Sequence, residues 1–418
     1  MKFEIKNREV YENLEQNNLA PYAAKSRGAH ATRIHHEAEH PYRTAFQRDR
    51  DRIIHSRAFR RLKHKQQVFL ISDGDHYRTR ITHTLEVSQL SRTLAKALGL
   101  NEELVEAIAL GHDLGHTPFG HIGEVVLNGI LAGKDDLNGL LRNENIGGFK
   151  HNYQSLRVVD RIEKKYQFEG LNLTSFVREG ILKHTRLLRK FYSYPNFEKQ
   201  GLNFESDVAS TLEGQVVAIC DEIAQRTHDL EDGIIAKLVN LDQVRQIEII
   251  QMVEKKLAHK GVLCDDSFGY KNCLINGLIN LLIEDVISTT LSNINIFYER
   301  KNRLEFFDEE IVLFSKEINP LQLELDRFIS KQIIFKRNED DINNYNKNIV
   351  RDLFIRFVKN PERTPNYVAK RFETTQNRQL NSGDIIESAI NIRIIADYVA
   401  GMTDRFATLE LKKYENNK

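Results

Sequence analysis

Apolar side chains recur about every three to four residues along most of the chain, whereas strict alternation of apolar and polar positions is scarce. Seven prolines in 418 residues leave long stretches free to be helical. This pattern predicts an all-α fold. In RTRITHTLEVSQLSRTLAKALGL, His83 shares one helical face with an apolar stripe, and Gly99 ends the segment as a C-cap residue does.

Two further helices are predicted around the next turn. Asn101 caps NEELVEAIALGHDL, and the bend from Gly115 to Pro118 ends that helix. A third helix is expected to begin near Phe119, and its inward residues are predicted to be Ile122, Val125, Val126 and Gly129.

The segment SDVASTLEGQVVAICDEIAQRTHDLED is apolar on more than one side, which is typical of a central helix. Segments rich in Asn, Gly and charged residues separate the helical patterns. They predict loops at 135–152, 193–207 and 336–348.

The length of 418 residues favours one large domain with a subdomain, or two or three smaller domains. The net charge of +1 gives no overall attraction to nucleic acid or an acidic membrane. From Arg43 to Lys65, however, nine Arg or Lys residues stand against two Asp. This segment is either a phosphate-binding surface or a solvated helix face.

Three cysteines without a CxxC pair are too few for a disulfide framework, so we expect ordinary buried thiols in a reducing compartment. The longest apolar segment, CLINGLINLLI, is interrupted by Asn276 and Asn280, and the first residues lack an apolar signal core. We therefore expect a soluble cytoplasmic protein with no membrane partner.

Four ionisable residues lie in or beside apolar stripes on three predicted helices: His83, His112, Asp113 and Asp221. A buried carboxylate normally pairs, takes up a proton or binds a metal. Taken singly, His83 and Asp221 are more typical of hydrogen-bonded core residues. Together they form a mixed nitrogen and oxygen set that suits one divalent transition metal, Mn, Fe, Co, Ni or Zn, better than Mg.

A second group follows in HDLGHTPFGHIGE. His121 and Glu124 are three residues apart on one helix, so the carboxylate can orient the imidazole as a general acid. His116 is expected to face the same cavity. The alternative is a Glu that stabilises the helix N-terminus beside two surface histidines.

The chain resembles the HD-domain deoxynucleoside triphosphate triphosphohydrolases, known as the dGTPase family. The resemblance covers roughly residues 40–235 and 385–412, while 236–384 rests on helical pattern alone. The matching segments, in the order of the family, are RTAFQRDRDRIIHSRAFRRLKHKQQVF, RTRITHTLEV, HDLGHTPFGHIGE, GGFKHNYQSLRVVD, LTSFVREGILKH, CDEIAQRTHDLED and DYVAGMTDRFA.

The resemblance implies an HD-type helical unit over 1–418, with a catalytic core at 40–235, a variable helical subdomain at 236–384 and a C-terminal helix at 385–412 that returns to the core. It also implies hydrolysis of a dNTP to a deoxynucleoside and inorganic tripolyphosphate, with one divalent metal per site.

Each site residue takes a role from the family pattern. The metal ligands are His83, His112, Asp113 and Asp221, the catalytic pair is His121 and Glu124, and His116 contacts the phosphates. Substrate contacts fall on Arg80, Gln67, His151, Asn152 and Asp229. Thr117 and Gln225 depart from the usual proline and tyrosine, and the second change puts sugar discrimination in doubt.

Members of the family are commonly homo-oligomers, and some are activated by a dNTP at a separate site, so a dimer-based tetramer or hexamer is expected. The rival functions are another HD phosphohydrolase, such as a 5′-nucleotidase or nucleotide phosphodiesterase, and a helical protein that binds single-stranded nucleic acid through the segment from Arg43 to Lys65.

Overall fold

The computed structural model describes residues 5–28, 31–67, 78–187, 201–203, 205–259, 261, 267–338, 341–372 and 382–415. Within these ranges no β-strand occurs, and strand-type pairing is limited to isolated bridges such as Gln66 with Thr79. The all-α prediction is confirmed.

The α-helices follow one another along the whole chain, with short 3₁₀ and π segments between some of them. Their bounds are α1 Arg8–Asn18, α2 Ala45–Ile54, α3 Arg57–Arg61, α4 Arg80–Ala97, α5 Glu102–Gly111, α6 His121–Leu131, α7 His151–Arg157, α8 Ser175–Lys183, α9 Leu212–Ile235, α10 Leu241–Val244, α11 Glu248–His259, α12 Ser267–Lys301, α13 Ile318–Ile329, α14 Phe335–Asn338, α15 Asp341–Lys359, α16 Asn366–Ala369, α17 Ser382–Ile386, α18 Ala389–Ala400 and α19 Asp404–Glu415.

Local sequence sets the helix ends around the candidate site. Gly99, which follows α4, has φ of +67°, a conformation that glycine adopts without strain. The side chain of Asn101 accepts hydrogen bonds from the backbone nitrogens of Glu103 and Leu104 at the start of α5. The predicted cap residues of α4 and α5 are therefore confirmed.

The larger hydrophobic core joins α4, α5, α8 and α9 to the helices α11 to α13. Helix α9 is buried on nearly every side, with Val216, Val217 and Ile223 fully inaccessible, which confirms the prediction of a central helix. Among the described residues, one stretch, Gly269–Lys301, is long and apolar enough to cross a membrane. Its helix α12 packs into this core through Leu278 and Leu282, so the stretch is weak support for a membrane span.

A second hydrophobic core joins α6 to α15, α18 and α19. Here one predicted loop is wrong, and one predicted helix face holds only in part. Residues 341–348 belong to helix α15, because Leu353 and Phe354 pack the helix into this core despite its polar start. Helix α6 begins at His121 and turns Gly123, Glu124 and Leu127 inward. Ile122 and Val126 are half-buried against this core, as predicted, whereas Val125 is 49% exposed.

The other predicted loops have separate outcomes. Residues 135–150 are irregular, as predicted, and α7 starts at His151. Of the predicted loop at 193–207, residues 193–200 and 204 lie outside the described residues. The division at 40–235, 236–384 and 385–412 stays a prediction, although buried contacts cross it. Asp404 on α19 accepts hydrogen bonds from the backbone nitrogens of Gln66 at 2.9 Å and Phe119 at 2.8 Å.

The cysteines differ from the expectation in one respect. Cys220 is a buried free thiol, and its burial raises its pKa to about 12. Cys273 is disulfide-bonded, so the expectation of an ordinary thiol is wrong there. Cys264 lies outside the described residues.

Candidate active site

Three helices of the larger core bring the four predicted metal ligands together. Helix α4 carries His83, the end of α5 presents His112 and Asp113, and α9 carries Asp221. Nε2 of His83 lies 2.9 Å from Oδ1 of Asp221, and Nε2 of His112 lies 3.5 Å from the same oxygen and 3.3 Å from Oδ1 of Asp113. Residues more than a hundred positions apart thus share one cluster.

His112 provides the test of whether this cluster suits a metal. Its Nδ1 donates to the carbonyl oxygen of Ala109 at 2.6 Å, so the Nε2 of a neutral ring carries a lone pair. That buried Nε2 faces two carboxylates and has no hydrogen-bond partner within the described part of the chain. Lone pairs therefore converge from imidazole and carboxylate groups, as they do around a divalent cation.

The electrostatics agree with this geometry. Burial alone lowers the pKa of His112, but the charges of Asp113 and Asp221 outweigh it and raise the pKa to about 9. Burial raises the pKa of Asp221, but the neighbouring His112 and His83 outweigh it and hold the pKa well below its usual range. The cluster favours added positive charge, which a divalent metal supplies.

A second cluster centres on Glu124, whose carboxylate lies 2.8 Å from Nδ1 of His151. Nε2 of His151 lies 3.1 Å from Nε2 of His184, and Nδ1 of His184 donates to the carbonyl oxygen of Ile181 at 2.7 Å. Because the proton of His184 is on Nδ1, its Nε2 must accept from His151. The ring of His151 is therefore held from both sides, by Glu124 and by His184.

His116 links the two clusters. Its Nδ1 lies 2.9 Å from Oδ1 of Asp113, and its ring stacks on that of His151 with centroids 4.1 Å apart. Ligand atoms of His116, Glu124 and His151 all lie within 4.8 Å of one another, close enough to hold an ion. These distances place His116 beside the metal cluster, and the expectation that it faces the same cavity stays a prediction.

The expected orientation of His121 by Glu124 is wrong in this structure. Glu124 is buried and paired with His151, whereas His121 is exposed. At about 100° per residue, His121 falls on the outer side of α6, away from the buried Gly123 and Leu127. The catalytic role of His121 stays a prediction, and it requires the ring to turn inward.

The predicted substrate residues have different surroundings. Arg80 is buried and its Nη1 donates to Oδ2 of Asp113 at 2.8 Å. Oε1 of Gln67 is buried and lacks a hydrogen-bond partner among the described residues. Asn152 is fully buried, and its amide donates to the carbonyl oxygen of Leu182 at 2.7 Å, which ties α7 to α8. Burial, with the charges of Asp232 and Asp326, raises the pKa of Asp229 to about 8.

A cavity of about 500 Å³ opens beside the metal cluster. Its walls include His184, Asp221, Gln225 and Phe314. The side chain of Asp221 is 17% exposed, which makes it the most accessible of the four predicted ligands. The volume falls in the range of small-molecule sites, which is about 300–1,000 Å³.

The basic segment from Arg43 to Lys65 is less available than its charge suggests. Arg43 pairs with Asp51 at 2.6 Å, and Arg52 pairs with Glu37 at 2.8 Å. Lys65 is buried and donates to the backbone carbonyl oxygens of His116 and Ala400. Ion pairs and buried hydrogen bonds thus occupy several cations of this segment, which was expected to be either a phosphate-binding surface or a solvated helix face.

Sequence reasoning missed His184 and His228. His184 ends the segment LTSFVREGILKH, where its position after an apolar helix was a usable signal. Burial lowers the pKa of His184 to about 3, and the nearby His112 and His151 add to that shift. His228 lies seven residues after Asp221, on the same face of α9, and its Nδ1 is 3.2 Å from Nδ1 of His83.

Comparison with known proteins gives concordant matches. Residues 80–226 match the HD domain model, and residues 312–413 match the phosphohydrolase-associated domain model. The chain is 38% identical over 404 residues to a deoxyguanosinetriphosphate triphosphohydrolase-like protein of Geobacter sulfurreducens, which covers 96% of each chain. It is 39% identical over 407 residues to a protein of the same description in Thiobacillus denitrificans, with 95% of this chain and 97% of the relative covered. A like-named protein of Leptospira interrogans is 39% identical over 414 residues, with 94% and 95% covered.

Proposed function

The chain belongs to the family of deoxyguanosinetriphosphate triphosphohydrolase-like proteins, and on that basis we propose that it hydrolyses a dNTP to a deoxynucleoside and inorganic tripolyphosphate. The family and the HD domain establish it as a phosphohydrolase of the dGTPase-like type. The observation that supports the finer reaction is the orphaned Nε2 of His112 among two carboxylates, beside a cavity of about 500 Å³.

The proposed metal ligands are His83, His112, Asp113 and Asp221. When bound, a divalent transition metal at this set supplies Lewis-acid polarisation of a phosphate oxygen and lowers the pKa of a bound water. The donor set of two imidazoles and two carboxylates suits Mn, Fe, Co, Ni or Zn, and Mg less well.

The chain supplies fixed positive charge for the triphosphate. The guanidinium of Arg80 is held by Asp113, and the ring of His151 is held between Glu124 and His184. Such groups stabilise negative charge without having to reorganise during the reaction. His116, stacked on His151, is the third polar group directed to this region.

The bond to be broken joins the α-phosphorus to the 5′-oxygen, and the departing alkoxide needs a proton. Both ring nitrogens of His151 already meet neighbours, Glu124 and His184, so we assign His151 to phosphate contact and not to proton delivery. His121 begins α6 three residues before Glu124, and an inward rotation brings it toward that carboxylate. We assign proton delivery to His121, worth about 10²–10⁴ in rate.

The nucleoside is proposed to occupy the cavity beside Asp221. Gln225 and Phe314 line it and offer an amide and an aromatic face. Asp229 follows Gln225 by one turn on α9, and burial raises its pKa to about 8. We propose that it meets a sugar hydroxyl, to which a protonated carboxyl can donate as well as accept.

Product analysis tests the reaction. The protein should be incubated with each of the four dNTPs, singly and mixed, with Mn or Mg, and the products separated by anion exchange. Tripolyphosphate in equal amount to deoxynucleoside supports the proposal. Release of pyrophosphate or orthophosphate instead identifies the rival 5′-nucleotidase or phosphodiesterase activity. Faster hydrolysis in the mixture identifies a dNTP activator.

The remaining expectations stay predictions with their own tests. Light scattering measures the expected dimer-based tetramer or hexamer. A steep salt dependence of affinity reveals binding of single-stranded nucleic acid. Fractionation of cells tests the cytoplasmic location.

A further inference from the structure

Behind His83 lies a chain of hydrogen bonds that the proposed reaction does not use. Nδ1 of His83 meets Nδ1 of His228 at 3.2 Å, and Nε2 of His228 makes a short hydrogen bond with Oε2 of Glu86. Nε of Arg78 donates to the other carboxylate oxygen of Glu86 at 3.2 Å. The chain runs from the surface to the face of His83 that is opposite Asp221.

Helix geometry explains how these residues meet. Glu86 follows His83 by one turn on α4, and His228 follows Asp221 by two turns on α9. Because α4 and α9 pack side by side, His228 reaches across and fits between the two residues of α4. His83 and His228 are both buried, with 1% and 2% exposure, so water does not replace these contacts easily.

The direction of each hydrogen bond follows from the carboxylate. Glu86 can only accept when ionised, so His228 carries a proton on Nε2. Nδ1 of the neutral His228 ring is then an acceptor, and Nδ1 of His83 must donate to it. This places the lone pair of His83 on Nε2, the atom that lies 2.9 Å from Asp221.

We propose that His228 and Glu86 are positioning residues that fix the tautomer and ring orientation of His83 so that its Nε2 binds the metal. The proposal rests on the metal centre of the proposed function and not on the identity of the substrate. Outer hydrogen bonds of this type typically contribute about 10–100-fold to metal affinity.

A matched pair of variants tests the role of His228. In His228→Asn, the amide oxygen can take the place of Nδ1 and still accept from His83. In His228→Leu, a side chain of similar shape offers no acceptor. We expect His228→Leu to weaken Mn²⁺ or Co²⁺ binding by about 10–100-fold, and His228→Asn by clearly less. Competition with a chelator measures both constants.

The role of Glu86 is tested through non-additivity. Glu86→Ala should weaken metal binding in the natural chain but have little further effect in the His228→Leu background, because the link between them is already gone. Glu231→Gln is the control, since Glu231 also pairs with Arg78, at 2.6 Å, but makes no described contact with His228. The visible spectrum of bound Co²⁺ should change with His228→Leu and not with Glu231→Gln.

Folding and function are separated by parallel measurements. Thermal unfolding in chelator checks that each variant is folded before its metal affinity is compared. Equal metal affinity in folded His228→Leu and in the natural chain overturns the proposal, as does failure of the natural chain to bind metal at all. If the affinities change as expected but no dNTP is hydrolysed, the positioning role stands and the proposed substrate is wrong.

Discussion

Two clusters in this protein contain buried carboxylates, and the cost of burying negative charge is offset differently in each. Asp397 on α18 is fully enclosed by donors from its own chain. It accepts from Nε of Arg157 at 2.8 Å, from Gln154 at 3.0 Å and from Nη2 of Arg371 at 2.7 Å. Burial raises its pKa, but the arginines outweigh that effect and lower the pKa to about 2.

The cluster of Asp113 and Asp221 is different because the imidazoles that face it supply lone pairs as well as protons. Nε2 of His112 is buried without a partner in the part of the chain described by the structure, and it faces both carboxylates. A buried charge is therefore not in itself a sign of function. The distinguishing feature is an unmatched set of acceptors, which an external cation completes.

The largest expected effect comes from removing one carboxylate of the cluster that contains Asp113 and Asp221. Asp221→Asn should abolish stoichiometric metal binding and lower hydrolysis by at least about 10³-fold, the scale of losing a preorganised electrostatic group. Addition of Mn²⁺ should raise the melting temperature of the natural chain, since the metal binds only the folded state, but not that of the variant. Equal metal-induced shifts in the two proteins would mean that Asp221 is not a ligand.

The matched substitution at Asp397, whose charge the arginines already balance, should lower stability and leave metal binding intact. Asp397→Asn removes the carboxylate that pairs with Arg157 and Arg371, and breaking such a buried pair costs about 3–5 kcal/mol of folding free energy. Because the folded pKa is depressed, the stabilisation is present above the unfolded value of about 3.9 and is lost as pH falls through about 2. Denaturant unfolding measures the loss.

Metal analysis of the folded Asp397→Asn protein completes the pair. The variant should bind the same amount of metal per chain as the natural protein. Asp397 lies on α18, in the second hydrophobic core, and not in the cluster formed by α4, α5 and α9. Loss of metal from folded Asp397→Asn would erase the distinction between the two clusters.

A smaller effect separates the two histidines beside Glu124. His121→Gln should lower kcat by about 10²–10⁴ with little change in KM, because proton delivery is lost. His151→Gln should raise KM, because a proposed contact to the triphosphate is lost. His55→Gln, at an exposed histidine outside the site, is the control. If His121→Gln keeps full kcat while His151→Gln loses it, the acid is His151.

Much of this arrangement follows from local sequence. The cap at Asn101, the break after Gly99 and the all-round apolar pattern of α9 depend on neighbouring residues, and each is confirmed. The clustering of His83, His112, Asp113 and Asp221 was also predictable, because ionisable residues in apolar stripes need partners when they are buried. Their role as metal ligands stays a prediction. The distances among them agree with a shared ion.

The errors arise where distant parts of the chain decide the outcome. Val125 is exposed because α6 turns Gly123 and Leu127 toward the second core, a choice between two apolar faces that periodicity alone does not make. Phe119, in the turn before α6, has φ of +59°, and the side chain of Asp404, 285 residues later, accepts from its backbone nitrogen. The resulting entry into α6 leaves His121 exposed.

The smallest expected effect concerns Asp229, a carboxyl group that is buried in a third manner, as the neutral acid. Asp229 keeps its proton, because burial and the charges of Asp232 and Asp326 outweigh those of Arg78 and Arg80 and raise its pKa to about 8. The unfolded carboxyl ionises near pH 3.9. The contribution of Asp229 to stability is therefore fully present below about pH 3.9. It is lost as pH rises through about 8, since the folded state must keep the proton or bury a charge.

Asp229→Asn removes this titration. Relative to the natural chain, the variant should gain stability between pH 5 and pH 8. The difference should level off above pH 8, where Asp229 is ionised in both the folded and the unfolded natural chain. Thermal unfolding in chelator, at several pH values, measures this trend, and Asp242→Asn, at a side chain that is 90% exposed, provides the control. A pH-independent difference between Asp229→Asn and the natural chain would place a cation against Asp229. Asp229 would then resemble Asp397, a buried carboxylate whose charge is balanced by cations of the chain itself.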